Sequence, residues 1–153
     1  MDSLRLKQLK FMLVLFVVSV FVNFIWEFIQ APLYAGKASL GAMAWHCFFA
    51  SMGDGIILWI IYGLGWTAFG NWLWTSQPGS RQMAFMVSVS LVIAVFIEWS
   101  ALHWLRRWAY TEQMPRIPVL DVGLTPILQM LILPPLIFLL TQKLSALHKP
   151  ATR

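Results

Sequence analysis

The chain has 153 residues, 59% of them hydrophobic and 11% charged, with a formal net charge of +5. A soluble domain carries about 25% charged residues, so the composition excludes an ordinary water-soluble fold and indicates one small integral membrane domain over residues 1–153. The positive charge calls for no nucleic acid, because Lys and Arg beside membrane segments serve topology and anionic headgroups. The single cysteine, Cys47, excludes an internal disulfide and any CxxC or CxxCH motif.

Four apolar runs predict four membrane-spanning helices. The first covers roughly 11–29 and ends before Ala31-Pro32. Its basic start, "MDSLRLKQLK", imitates a signal peptide, but the run is long, Asn23 and Glu27 interrupt its far end, and "PLYAG" lacks the small-residue cleavage pattern, so it reads as a retained helix. The second, roughly 40–64, carries Asp54 between Gly53 and Gly55, whose missing side chains would let another backbone approach. The third covers roughly 83–105. A long loop follows, "RRWAYTEQMPRIPVLDVGLTP", stiffened by Pro115, Pro118 and Pro126 and heavy in apolar side chains, so that residues 106–118 are expected to cap the outer mouth. The fourth span covers roughly 119–141, with its regular part beginning near Thr125-Pro126 and a kink or stop at Pro134-Pro135. Each run is long enough, at about 1.5 Å per residue, to cross a hydrocarbon core of about 30 Å, and only helices satisfy their own backbone there.

Direction follows from the basic residues. With a cytoplasmic N-terminus the inner side holds seven (Arg5, Lys7, Lys10, Arg81, Lys143, Lys149, Arg153) and the outer side four (Lys37, Arg106, Arg107, Arg116), which are the eleven in the sequence. The rule that positive loops stay inside then puts both termini in the cytoplasm. Tryptophans 26, 45, 99, 104 and 108 would mark the outer interface and 66, 72 and 74 the inner one.

Helical spacing sorts the polar residues. Ser19, Asn23, Glu27 and Gln30 form one stripe on the first helix; Ser90, Ala94, Glu98 and Ala101 one on the third; Asp121, Thr125 and Gln129 one on the fourth. On the second, Ala42, His46, Ala50 and Gly53 form a small face expected to pack against a neighbouring helix, with Asp54 beside it. Ionisable groups cost about 2.5–3.5 kcal/mol each at the centre of a span on insertion scales, which makes them functional candidates. Here they gather toward the outer half, and the inner half is almost bare of them. Glu27 and Glu98 are candidates for a general acid and base, with Asp54 a proton-carrying acid that bonds Gln129 or Asn23 and His46 a proton partner. Asn23, Gln30, Arg106, Arg107, Tyr110 and Gln129 are candidates for ligand binding, the arginines as a clamp for a phosphate or carboxylate. His46 and His103 with the two glutamates would make a divalent metal set, although the ExxH spacing of bundle metal sites is missing, and the two histidines alone would suit a haem. The plain alternatives are a Glu paired with Arg106 or Arg107, Asp54 as a neutral link between helices, and arginines reaching for headgroups.

The segments Asn23-x-x-Trp26-Glu27-x-x-Gln30-x-Pro32-Leu33-Tyr34, Arg107-Trp108-x-Tyr110-x-x-x-Met114-Pro115-x-Ile117-Pro118 and Gly123-Leu124-x-Pro126-x-x-Gln129 resemble a family of uncharacterised four-helix proteins of bacterial inner membranes. More loosely, the chain is similar to the emopamil-binding and sterol-isomerase group, small helical membrane proteins with buried acids. The first resemblance implies a fold and no known chemistry, and the second transfers no residue. The leading expectation is an outward-facing polar pocket that binds or transforms a membrane lipid or other hydrophobic small molecule, isoprenoid or quinone-like. The alternatives are a small proton- or cation-coupled transporter or channel, which would need a homo-oligomer to complete its path, and an assembly subunit of a membrane complex.

Overall fold

The computed structural model describes residues 2–36 and 39–146. Lys37, Lys149 and Arg153, three of the basic residues in the topology count, lie outside them. Four helices make up most of the chain: α1 (Asp2–Gln30), α2 (Leu40–Phe69), α3 (Ser80–Trp99) and α4 (Leu124–Ala146). All four are long and apolar enough to cross a membrane.

Their ends follow local chemistry. Ser39 caps α2 by accepting the Ala42 N–H, and Gly70, left-handed at φ 63°, stops it. α1 runs into a tight turn at Ala31–Leu33, where Pro32 sits in the first turn. α3 does not continue as an α-helix to Leu105: from Ser100 to Trp104 it widens into a π-helical turn, in which the Leu105 N–H reaches back to the Ser100 carbonyl. Such widened turns frequently accompany functional sites. The fourth helix starts at Leu124, next to the Thr125-Pro126 start expected for its regular part, and the first residues of the 119–141 run instead belong to a small hairpin, β1 (Arg116–Ile117) with β2 (Val122–Gly123). The hairpin's return requires left-handed backbone at Val119 (φ 75°) and Asp121 (φ 49°), which no helix accommodates. The helix carries on through Pro134 and Pro135.

α1 packs on α2 and α4, and α3 packs on α4, so the helices form a ring in which the α2–α3 seam is the loosest. The two ends of the bundle differ. At one end Phe11, Tyr62, Phe69, Trp74, Phe85 and Phe138 interlock, with ring centroids such as Phe69–Phe85 at 5.3 Å and Trp74–Phe138 at 5.9 Å. Trp74 therefore departs from the interfacial role expected of it: it is 3% exposed, and its indole N–H donates to the Tyr62 carbonyl at 3.0 Å. The Tyr62 hydroxyl in turn donates to the Trp72 carbonyl at 2.6 Å, which straps the 70–79 loop across the end of α2. Trp45, Trp66, Trp99 and Trp104 are exposed, as a belt requires.

The close approach in α2 is not where the glycines around Asp54 predict it. Nothing lies within 4 Å of a Cβ built on Gly53, and Gly55 admits the Phe16 ring rather than another backbone. The tightest glycine is Gly65, where an added Cβ would lie 2.2 Å from the Trp74 ring. Gly65→Ala is expected to cost about 1–3 kcal/mol by overpacking and to lower the melting temperature in detergent by several degrees. Combining it with Trp74→Phe should recover part of that loss; an unchanged melting temperature in Gly65→Ala would contradict this packing.

Candidate functional site

At the opposite end the stripe predicted on α1 faces inward and joins α4 and α2 through one side chain. Gln129 donates from both amide hydrogens, to the Asn23 carbonyl oxygen at 2.9 Å and to Asp54 Oδ2 at 3.0 Å, and it accepts from Gln30 at 3.0 Å. Gln30 also donates to Glu27 Oε1 at 2.9 Å and accepts from the Trp26 indole at 3.2 Å. Asn23 closes the chain by donating to Ser19, to its carbonyl at 2.9 Å and its hydroxyl at 3.2 Å. The spacing of three and four along α1 is what makes this possible, since it stacks these side chains on one face. An amide such as Gln129 that uses both hydrogens and its oxygen has its orientation settled by its neighbours.

Glu98 enters from α3. Its Oε2 accepts from the Tyr110 hydroxyl and, at 3.4 Å, from the Trp108 indole. Both donors belong to the loop predicted to cap the mouth, and the structure folds that loop as a lid over the bundle end. Tyr34 and Tyr110 form an antiparallel bridge: the Ala35 N–H donates to the Ala109 carbonyl at 2.8 Å, and the Thr111 N–H to the Leu33 carbonyl at 2.9 Å. The Tyr34 and Tyr110 rings meet edge to face at 5.4 Å. The Tyr110 hydroxyl accepts from the Gly123 N–H at 2.9 Å while it donates to Glu98. Burial pushes both phenols above their ordinary range, and the Glu98 carboxylate adds to the effect, so Tyr110 keeps the proton it donates.

Glu27, Asp54, Glu98 and Gln129 line one hollow of about 60 Å³, completed by the apolar side chains Ile57, Ile93, Ala94, Ile97, Pro126 and Met130. A cavity needs about 10–15 Å³ of this kind of volume to hold one water, so the hollow has room for a small polar group of a few water-sized units. Each of the three carboxylates gives one oxygen to protein donors. The other oxygen of Asp54 and of Glu98 has no hydrogen-bond partner among the described residues, while Glu27 is approached by Gln129 as well as Gln30. No arginine or lysine pairs with them there either; the ion pair that does form is Arg116–Asp121, 3.1 Å apart on the exposed hairpin.

The remaining candidates lie elsewhere. His46 is exposed on α2, and His103 is exposed on the π-helical turn, against the Trp99 ring at 5.5 Å. The histidines therefore do not join the glutamates, and among the described residues no three His, Cys, Asp or Glu side chains are placed to hold a metal ion. Arg106 and Arg107 are exposed and form no ion pair, among the described residues, with the carboxylates they were offered to. Thr125 bonds Met114 Sδ at 3.3 Å, and Asp121 pairs with Arg116, so of the α4 stripe Gln129 alone reaches the hollow. Ala42, His46, Ala50 and Gly53, expected to pack against a helix, are all exposed. Trp108 and Gly123 support the site although sequence reasoning had not marked them for it; the RWxY spacing was the available signal for Trp108.

The class this defines is a helical chain with four helices of membrane-crossing length and a lidded polar hollow near one end. No protein-family model matches the sequence, and no curated protein or solved structure does.

Gly123 admits Tyr110 because it lacks a side chain: a Cβ there would sit 2.9 Å from Tyr110 Cζ and its hydroxyl oxygen. Gly123→Ala should therefore lift the lid and speed tryptic cleavage at Arg106, Arg107 or Arg116 by about tenfold, equivalent to about 1.4 kcal/mol, with helix content unchanged. Cleavage at the wild-type rate would show that Tyr110 does not need this contact.

Proposed function

We propose that the protein is a multi-pass protein of the bacterial inner membrane, both termini cytoplasmic, whose polar hollow binds or transforms an amphiphilic ligand (a lipid, isoprenoid or quinone-like molecule) by acid–base chemistry. The observation that carries this reading is the hollow shared by Glu27, Asp54 and Glu98, of which Asp54 and Glu98 each keep one oxygen free of donors among the described residues. Buried carboxylates without cationic partners are costly in lipid and mark functional sites. They also suit proton exchange with a bound hydroxyl or carbonyl. In this scheme Glu98, fixed by Tyr110 and Trp108, and Asp54, fixed by Gln129, are the acid–base pair, and Glu27 is the third carboxylate at the rim. His46 and His103 take no part in this scheme.

Transport fits less well. The polar chain ends at Asp54, and beyond it toward the aromatic end the core is Leu58, Ile61, Tyr62, Ile137 and Phe138. Among the described residues that stretch holds no ionisable carboxylate, histidine or basic side chain; its buried polar groups include the Tyr62 phenol, Thr75 and Thr141, which form no continuous hydrogen-bonded chain with Asp54.

The test is mass spectrometry of small molecules carried by the purified protein, with metal analysis on the same sample. The expected result is a membrane-soluble compound near one per chain, reduced tenfold or more in Asp54→Asn and Glu98→Gln variants that purify normally. Identical bulk phospholipid on wild type and variants, and nothing else, would overturn the reading.

A further inference from the structure

The lid and the hollow together pose a problem of access. At the polar end Gln30 is 3% exposed, Glu98 6% and Tyr110 8%, beneath the Tyr34–Tyr110 bridge. Asp54 lies deeper, midway along the thirty residues of α2, and yet keeps partial exposure.

The walls of the hollow span the seam between α2 and α3. These two helices make the loosest contact in the ring. Ile57 on α2 and Ile93 and Ile97 on α3 are only partly buried where they wall the hollow. Along α2 the small face Ala42, His46, Ala50 and Gly53 runs exposed and unpacked toward Asp54, and open space surrounds the Cβ position of Gly53. Glu98, more than nine-tenths buried, lines the hollow with a carboxylate oxygen that no protein donor meets among the described residues. A cleft bordered by isoleucines and small residues, at mid-helix depth, faces hydrocarbon rather than water in a spanning protein.

We propose that the hollow is loaded sideways from the bilayer, through the α2–α3 seam, by a membrane-dissolved molecule with a compact hydrogen-bonding head. This rests on the reading above and narrows its ligand class. A hollow of about 60 Å³ takes a hydroxyl or carbonyl and its nearest atoms, while the apolar remainder stays along the small face of α2. Among the described residues no Arg or Lys pairs with the three carboxylates of the hollow, so nothing there offsets the charge of a phosphate ester.

Two carbodiimides test the route without knowledge of the ligand. Dicyclohexylcarbodiimide is membrane-soluble; a protonated carboxylic acid adds its O–H across one C=N bond, and the acyl group then migrates to nitrogen, giving a stable N-acylurea from which no atom leaves. The charged, water-soluble ethyl(dimethylaminopropyl)carbodiimide reaches the same acids only from water. In native membranes Asp54 is expected to be modified at least tenfold faster by the lipid-soluble reagent, as read by peptide mass spectrometry. Ala50→Phe and Gly53→Phe, substitutions at exposed positions that should not disturb folding, are each expected to slow this modification fivefold or more. Gly123→Ala, which lifts the lid, is expected to leave it unchanged. Equal rates with both reagents, faster modification in Gly123→Ala, or no effect of either phenylalanine would overturn sideways loading. The carbodiimide result is independent of whether any compound co-purifies, so lateral access and ligand binding fail separately.

Discussion

One amide organises the polar half of this protein. Gln129 on α4 holds Asn23 of α1 and Asp54 of α2 with its two hydrogens, and takes a hydrogen bond from Gln30 at the end of α1. In a low-dielectric interior a polar group left without a partner costs about 1–3 kcal/mol, so the four side chains stabilise one another only as a set. The same bonds place Asp54 at the hollow and leave its other oxygen free to meet something else. Structure and chemistry meet in Gln129: without it Asp54 would lose its orientation as well as its donor.

The two ends of the bundle divide the remaining work. The aromatic end is sealed by interlocked rings and by the 70–79 loop strapped through Tyr62 and Trp74. It supplies the packing that fixes where α1, α2 and α4 stand, and so it sets the register at which the polar stripes meet. The polar end is held by a different device, a lid whose backbone pairs with residues 33–35 and whose Tyr110 hydroxyl reaches both Glu98 and the Gly123 N–H. Glu98 sits one residue before the point where α3 begins to widen at Trp99–Ser100, so its carboxylate and the lid are governed by the same irregular segment. Between the two ends, the looseness of the α2–α3 seam exposes the flank of the hollow.

Much of this was legible in the sequence, and what was hidden was hidden for physical reasons. The four helices follow from apolar run length, and the inward stripe of Ser19, Asn23, Glu27 and Gln30 follows from spacing alone, as does the Asp54–Gln129 bond. Spacing says which residues share a face, however, and not what that face meets. In a soluble helix, polarity distinguishes the exposed face from the buried one. In a membrane helix both are apolar, so the small face of α2 looked like a packing surface and proved exposed, carrying His46 out of the site. Trp74 resembled an interfacial residue for the same reason, since an indole suits either place until the Tyr62 carbonyl is seen to receive its N–H. The bridge between Tyr34 and Tyr110 joins residues far apart in the chain, and the left-handed backbone of Val119 and Asp121 that keeps 119–123 out of α4 has no signature in residues that are neither Gly nor Asn.

The most direct test is a double-mutant cycle on Gln129 and Asp54, read from reversible unfolding in a bilayer with Gln129→Leu, Asp54→Leu and the pair. Hydrogen bonds between membrane helices give coupling energies averaging about 0.6 and reaching about 1.7 kcal/mol. Because Gln129 also serves Asn23 and Gln30, the coupling expected here is in the upper part of that range. Strictly additive single effects would mean that the two side chains do not interact, and the shared site would have no foundation.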